Sequence, residues 1–254
     1  LPKPKEQTVN VFPHDRIGDL TVIAAISGIL GSKIFSILEE PSGFFDDPIG
    51  TFFSGSGLTI YGGLILGALS VTWYLRKHKI PFWHTADAIA PALIIAYGVG
   101  RIGCQLAGDG DLGIAAAPQP GWLFLPDWLW AYDYPHNVNR EGIPIEGCEW
   151  AYCTRLSPPV YPTPLYEVVA CLLIGGFLWA IRKRLSVPGM MFFIYLILNG
   201  FERFWIEKIR VNVTYEWLPG QPTQAEVISI LIFVAGVVGA VWLWRKNRKT
   251  PVPV

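Results

Sequence analysis

Charged side chains interrupt three of the most apolar stretches of this chain. Arg101 closes one stretch, Glu167 opens the next, and a third ends in Glu202, Arg203 and Glu207. Ionised groups at membrane depth are costly, so they normally face a protein interior or a cavity, and they often mark a functional site. Arg203 and Glu207 are four residues apart, which places them on one face of a helix, where they can pair.

Two interpretations fit these charges. They could form a structural ion pair that binds helices together. Alternatively, Arg101 and Arg203 could form a cationic pocket for an anionic group, with carboxylates holding the arginines in place. A guanidinium presents a planar fork of donors that matches phosphate. The phosphate expected at this depth belongs to a lipid headgroup.

A second unusual stretch is the glycine-rich segment from Gly57 to Leu64, GLTIYGGL. Glycines of this kind allow two membrane helices to pack closely. They would also allow a ligand to approach the backbone, in which case Tyr61 would project into the ligand cavity. The sequence leaves both interpretations open.

The composition indicates how these residues are positioned. The chain is 52% hydrophobic and 16% charged, whereas a soluble domain has about 25% charged residues. Its net charge is zero, so nothing indicates a nucleic-acid partner. Six apolar blocks are long enough to cross about 30 Å of hydrocarbon, and in lipid they must be helices. The blocks are 18–38, 57–75, 83–104, 164–181, 188–206 and 224–244. We therefore predict an all-α, polytopic membrane helix bundle.

Basic clusters predict the orientation of the bundle. They follow the second, fourth and sixth blocks, at 76–79, 182–184 and 245–249. Lysine and arginine mark cytoplasmic loops. The opposite loops, 39–47 and 208–222, contain no such basic cluster. Both ends of the chain are therefore expected in the cytoplasm.

The predicted organisation has three parts. Residues 1–107 hold three membrane helices, 108–163 form an extracytoplasmic insert, and 164–254 hold three more helices and a basic tail. The insert is rich in Trp and Tyr, which favour the headgroup zone. We interpret it as a small head lying on the outer membrane surface, because its aromatic density argues against a disordered loop.

The four cysteines fall into two groups. Cys104 and Cys171 lie in apolar blocks, whereas Cys148 and Cys153 lie close together in the insert. A single C-x4-C pair without a second pair or a completing histidine is weak support for zinc. A short disulfide on an oxidising face is favoured. No metal or organic cofactor is indicated.

The sequence resembles the prolipoprotein diacylglyceryl transferase family in five places, in the family's order and over nearly the whole chain. Gly100 to Asp109 resembles the signature G-R-x-G-N-F-x-N-x-E, and Gly57 to Gly63 resembles G-[MLI]-[SA]-[FI]-H-G-G. Pro164 to Glu167 resembles Q-L-Y-E, Arg203 to Arg210 resembles R-x-x-x-E-x-F-R, and Gly220, Gln221 and Gln224 resemble the lead into the last helix.

The resemblance implies a reaction and a location. Family members move the diacylglyceryl group of phosphatidylglycerol onto the lipobox cysteine of a prolipoprotein, at the outer half of the bacterial cytoplasmic membrane. The thiol sulfur attacks a glyceryl carbon, and glycerol phosphate leaves. The family has seven spanning helices with the N-terminus outside, so a seventh helix is expected before Leu1.

The resemblance also implies residue roles. Arg101 and Arg203 would stabilise the leaving group in a low-dielectric cavity. Asp109 and Glu207 would orient the two arginines, and Tyr61 would hydrogen-bond the headgroup or the incoming thiol. Arg210 would attract headgroups at the surface or be an exposed arginine at a helix end. The predicted substrate-binding and lipid-binding residues are Gly62, Gly63, Tyr166, Glu167, Arg210 and Gln224.

Three positions depart from the family pattern. Tyr61 replaces a histidine, Cys104 an asparagine and Asp109 a glutamate. A tyrosine hydroxyl is a poor base at neutral pH, so a catalytically altered member that binds phospholipid or modifies another acceptor stays open. A transporter is a second alternative. It is disfavoured because the charges cluster near one face and no inverted halves are visible.

Overall fold

The computed structural model describes residues 13–54, 57–109, 112–212, 214–215 and 220–249, so both chain ends lie outside the described residues. Its long helices are α1 (Ile17–Glu39), α4 (Ile60–Lys77), α5 (Phe82–Ala107), α7 (Thr163–Ile181), α8 (Met190–Glu207) and α9 (Gln224–Lys249). Its short helices are α2 (Ser42–Asp46), α3 (Pro48–Phe53) and α6 (Asp127–Trp130), with a 3-10 turn at Pro13–Arg16. Two strands, β1 (Ile143–Pro144) and β2 (Thr154–Arg155), complete the described elements.

Four of the described helical segments are long and apolar enough to cross a membrane. They are His14–Glu39, Phe82–Ala107, Thr163–Ile181 and Gln224–Arg248. The other two long helices carry charged residues, Arg76 and Lys77 in α4 and Glu202, Arg203 and Glu207 in α8. The mostly helical structure with membrane-spanning segments confirms the predicted class of an α-helical membrane protein.

The chain forms two compact units that meet in sequence between Phe82 and Trp83. In the first unit α1 packs against α4. A Cβ atom added to Gly62 would overlap the carbonyl oxygen of Gly31, and one added to Gly63 would overlap the Ser32 hydroxyl. These glycines therefore permit the close approach of the two helices. This placement favours the packing interpretation of the glycine-rich segment.

We expect Gly62→Ala to destabilise the first unit, because the new methyl group has no space at the helix crossing. Overpacking of this kind costs about 1–3 kcal/mol. The matched control is Gly18→Ala on α1, where an added Cβ meets no heavy atom within 4 Å. Thermal unfolding of the two detergent-solubilised variants measures the difference. Equal midpoints for both would contradict the packing role.

The second unit is built around α5, α7 and α8. Its core contains Ala90 and Ile94 from α5, Cys171 and Leu178 from α7, and Met191 from α8. Helices α8 and α9 also pack against each other. An added Cβ on Gly98 of α5 would lie 2.8 Å from the Cys171 Cβ. A glycine at this position lets the backbones of α5 and α7 approach closely.

The segment between α5 and α7 contains both described strands. Strands β1 and β2 pair antiparallel, with Ile143 opposite Arg155 and Pro144 opposite Thr154. Between them, Cys148 and Cys153 are joined by a disulfide. This ribbon was not predicted, because two-residue strands leave no alternation in the sequence.

Candidate active site

The register between α5 and α8 is set at the N-terminal end of α8. The Asp87 carboxylate on α5 accepts hydrogen bonds from the backbone N–H groups of Gly189, at 2.6 Å, and Phe192, at 2.9 Å. Arg101 lies 14 residues after Asp87, and Arg203 lies 14 residues after Gly189. Both helices therefore rise about 21 Å from this anchor to their arginines. The two arginines consequently reach the same level of the bundle.

At that level the Glu167 carboxylate on α7 joins three guanidinium groups. Arg101 Nε lies 2.8 Å from Glu167 Oε2, and Arg203 Nη1 lies 2.6 Å from Glu167 Oε1. Arg210 Nη1 is 3.8 Å from the same Oε1. Glu167 is 0% exposed, and a buried carboxylate requires such partners. The sequence predicted that Arg101 and Arg203 share a pocket, and the structure brings both to one carboxylate.

Tyr97 extends this cluster along α5. Its hydroxyl donates to Glu167 Oε1 at 2.8 Å and accepts from Arg101 Nη2 at 3.2 Å. The Arg101 guanidinium carbon also lies 4.9 Å from the Tyr97 ring centroid, a cation–π distance. Tyr97 therefore fixes both the arginine and the glutamate. Sequence reasoning missed it, although its i, i+4 spacing to Arg101 was a usable signal.

Glu207 is held from two directions. The Arg203 Nη2 atom lies 3.5 Å from Glu207 Oε2, the pair that the i, i+4 spacing predicted. Glu207 Oε1 accepts from the Thr223 hydroxyl at 2.7 Å and from the Asn212 amide at 2.5 Å. Asn212, after the end of α8, and Thr223, just before α9, therefore fix the position of Glu207.

Thr223 is itself fixed as the N-cap of α9. Its backbone N–H donates to Glu226 Oε2 at 3.0 Å, and the Glu226 N–H donates to Thr223 Oγ1 at 3.1 Å. This reciprocal pair is a capping box. The sequence T-Q-A-E before an apolar run carries its signature, and sequence reasoning had not used it. The cap links the start of α9 to the arginine cluster through Glu207.

Arg210 corrects one sequence expectation. Its side chain is 3% exposed, so it is neither a surface residue nor an exposed arginine at a helix end. Backbone bonds hold this segment against the insert: Ile114 N–H donates to the Ile209 carbonyl at 2.9 Å, and Val211 N–H donates to the Leu112 carbonyl at 3.2 Å. Burial, more than the charge of Arg101, lowers the pKa of Arg210 to about 10. The guanidinium therefore stays charged at neutral pH.

The other residues with predicted roles belong to other elements of the chain. Tyr61, like Gly62 and Gly63, lies on α4 in the first unit. The Tyr166 hydroxyl donates to the Leu129 carbonyl at 2.9 Å, so it contacts the insert. Gln224 is exposed at the start of α9. Asp109 is exposed just beyond α5 and interacts with the Cys104 thiol. The roles assigned to these residues remain predictions.

The chemistry of the cluster suits an anion. A guanidinium has five N–H donors in a fixed plane, a geometry that matches carboxylate and phosphate oxygens. Burial strengthens each electrostatic interaction, because the effective dielectric constant is lower than in water. Fold and site together define an α-helical membrane protein with a buried arginine–glutamate cluster suited to an anionic group.

Comparison with known proteins identifies the family. The model of the family "Prolipoprotein diacylglyceryl transferase" matches residues 3–242. Three similar relatives are named phosphatidylglycerol–prolipoprotein diacylglyceryl transferase. The Corynebacterium glutamicum protein is 32% identical over 93% of this chain and 72% of its own length. The Symbiobacterium thermophilum protein is 29% identical over 94% of this chain and 83% of its own length. The Leptospira interrogans protein is 26% identical over 98% of this chain and 86% of its own length. The chain belongs to the prolipoprotein diacylglyceryl transferase family, enzymes of lipoprotein biosynthesis, which confirms the resemblance found in its motifs.

Proposed function

We propose that this chain transfers the diacylglyceryl group of phosphatidylglycerol to the thiol of a lipobox cysteine in a prolipoprotein. The observation that carries the proposal is the convergence of Arg101 and Arg203 on the buried Glu167 carboxylate. The family to which the chain belongs and the names of its relatives support the same reaction.

The chemistry requires cations at the leaving group. When the thiol sulfur bonds to the glyceryl carbon, the carbon–oxygen bond breaks and its electron pair stays on glycerol phosphate. The phosphate group then passes from one negative charge toward two. Arg101 and Arg203 would stabilise that charge, because preorganised donors in a buried site need no reorganisation during the reaction. Glu207 and Asp109 would orient the arginines, and Tyr61 would hydrogen-bond the headgroup or the thiol.

The remaining assigned residues would have supporting roles. Glu167 would hold the arginines in position, since it contacts both, and buried Arg210 would add a third positive charge to the lipid-binding site. Gly62, Gly63, Tyr166 and Gln224 keep their proposed contacts with the lipid substrate. The acceptor protein would present its lipobox cysteine to the same cluster.

The proposed setting is the bacterial cytoplasmic membrane. All six long helices would cross it, with both chain ends in the cytoplasm and residues 1–107 and 164–254 forming the membrane parts. The insert, 108–163, would lie on the outer surface. Its aromatic side chains Trp122 and Phe124 are 76% and 94% exposed, and such side chains partition to the headgroup zone.

A transfer assay tests the proposal. Purified full-length protein is incubated with phosphatidylglycerol labelled in its acyl chains and with a lipobox peptide. We expect the label to appear on the peptide, with one glycerol phosphate released for each peptide modified. A peptide with serine in place of cysteine is the control and should remain unlabelled. Tight binding of phosphatidylglycerol without peptide labelling would instead support the altered, lipid-binding alternative.

A further inference from the structure

Glu202 is a buried carboxyl group to which neither the sequence motifs nor the proposed mechanism assigns a role. It lies on α8 next to Arg203 and is 7% exposed. Neither of its carboxyl oxygens has a hydrogen-bond partner among the residues that the structure describes. By contrast, Glu167 and Glu207 each accept hydrogen bonds from neighbouring side chains.

Glu202 interacts electrostatically with charges of both signs. Its electrostatic neighbours include Arg101, Arg203 and Glu167, and it also interacts with Tyr97 and Cys171. Burial without hydrogen bonds favours the neutral acid, whereas the two arginines favour the carboxylate. A group held between these opposing effects can exchange a proton during a reaction cycle.

The other groups of the cluster are poorly suited to accept a proton. Glu167 and Glu207 each already accept a hydrogen bond and lie within ion-pair distance of Arg203. The Tyr97 hydroxyl already donates its proton to Glu167, and Cys171 is a fully buried thiol on α7. Glu202 is therefore the best candidate for a base in this cluster.

We propose that Glu202 accepts the proton of the acceptor cysteine thiol in the transfer reaction, an inference that rests on the proposed function. The S–H bond breaks, and the proton passes to a Glu202 carboxylate oxygen. The sulfur electron pair forms the new S–C bond, and the C–O electron pair leaves with glycerol phosphate. Protonation of Glu202 adds one positive charge to the cluster's net charge while the leaving group gains one negative charge. The proton then passes to glycerol phosphate or to water.

Glu202→Gln tests this role, with exposed Glu149→Gln as the matched control. The amide has nearly the same shape but accepts no proton under these conditions. General-base catalysis contributes about 100-fold to 10,000-fold, so single-turnover transfer to a cysteine peptide should fall by at least about 100-fold. We expect the wild-type rate to rise with pH as Glu202 becomes ionised, and this rise should be absent from the variant. Binding of phosphatidylglycerol vesicles should remain unchanged.

A selenocysteine lipobox peptide separates proton transfer from structure. Its selenol is already ionised at neutral pH and requires no base, so the Glu202→Gln defect should largely vanish with this acceptor. Equal loss with both peptides, or a wild-type rate with the cysteine peptide, would overturn the proposal. If the chain is not a diacylglyceryl transferase, the wild-type protein will label neither peptide. That result differs from every outcome that concerns Glu202 alone.

Discussion

Arg203→Ala is expected to abolish diacylglyceryl transfer while leaving the amount of protein in the membrane unchanged. Removing one preorganised donor from a charge-stabilising site typically costs about 100-fold to 1,000-fold in rate. Arg203 contacts both Glu167 and Glu207, so its loss also releases Glu207 from the cluster. Glu167 keeps Arg101 and Arg210 as partners, and the fold should therefore survive the change.

The measurement is the initial rate of peptide labelling from labelled phosphatidylglycerol, at equal amounts of membrane-inserted protein. Arg184→Ala, which removes an exposed arginine beyond the end of α7, is the control and should label at the wild-type rate. Arg203→Lys should remain strongly impaired, because a lysine supplies the charge without the planar fork that reaches two carboxylates. Undiminished labelling by Arg203→Ala would refute the assignment of this arginine.

Local patterns in the sequence predicted the helices and the principal charges. The apolar blocks match the long helices closely, for example 164–181 against Thr163–Ile181. This agreement arises because the length of an apolar block and the charged residues at its ends can both be read from a single continuous stretch of sequence. The i, i+4 pairing of Arg203 with Glu207 followed from spacing in the same way.

Contacts between distant segments account for what the sequence did not predict. Arg210 is buried because its backbone pairs with residues near the start of the insert, and nothing in its local sequence indicates that pairing. Thr223 reaches Glu207 only after α9 folds back against α8. Glu167 was expected to bind substrate, whereas its contacts are with three arginines from other elements. The central carboxylate could be identified only when these elements were placed together.

Glu167→Gln is expected to have the largest effect on stability. The amide keeps the shape of the side chain but removes the charge that compensates Arg101 and Arg203 at a fully buried position. Breaking a buried ion cluster by removing one partner costs about 3–5 kcal/mol. Transfer should be lost as well, because the arginines lose the group that orients them. The free energy of unfolding in detergent measures the first effect, and Glu149→Gln is the exposed control.

The two variants together separate the two interpretations of the cluster. If the arginines only joined helices, activity would fall in proportion to stability, and the less destabilising Arg203→Ala would be the more active variant. If they bind the phosphate of the lipid, Arg203→Ala should lose transfer by at least about 100-fold at a smaller cost in stability than Glu167→Gln, because Glu167 keeps Arg101 and Arg210 as partners. Glu167→Gln should lose both transfer activity and stability. A Glu167→Gln protein as stable as the wild type would contradict the central position of this carboxylate.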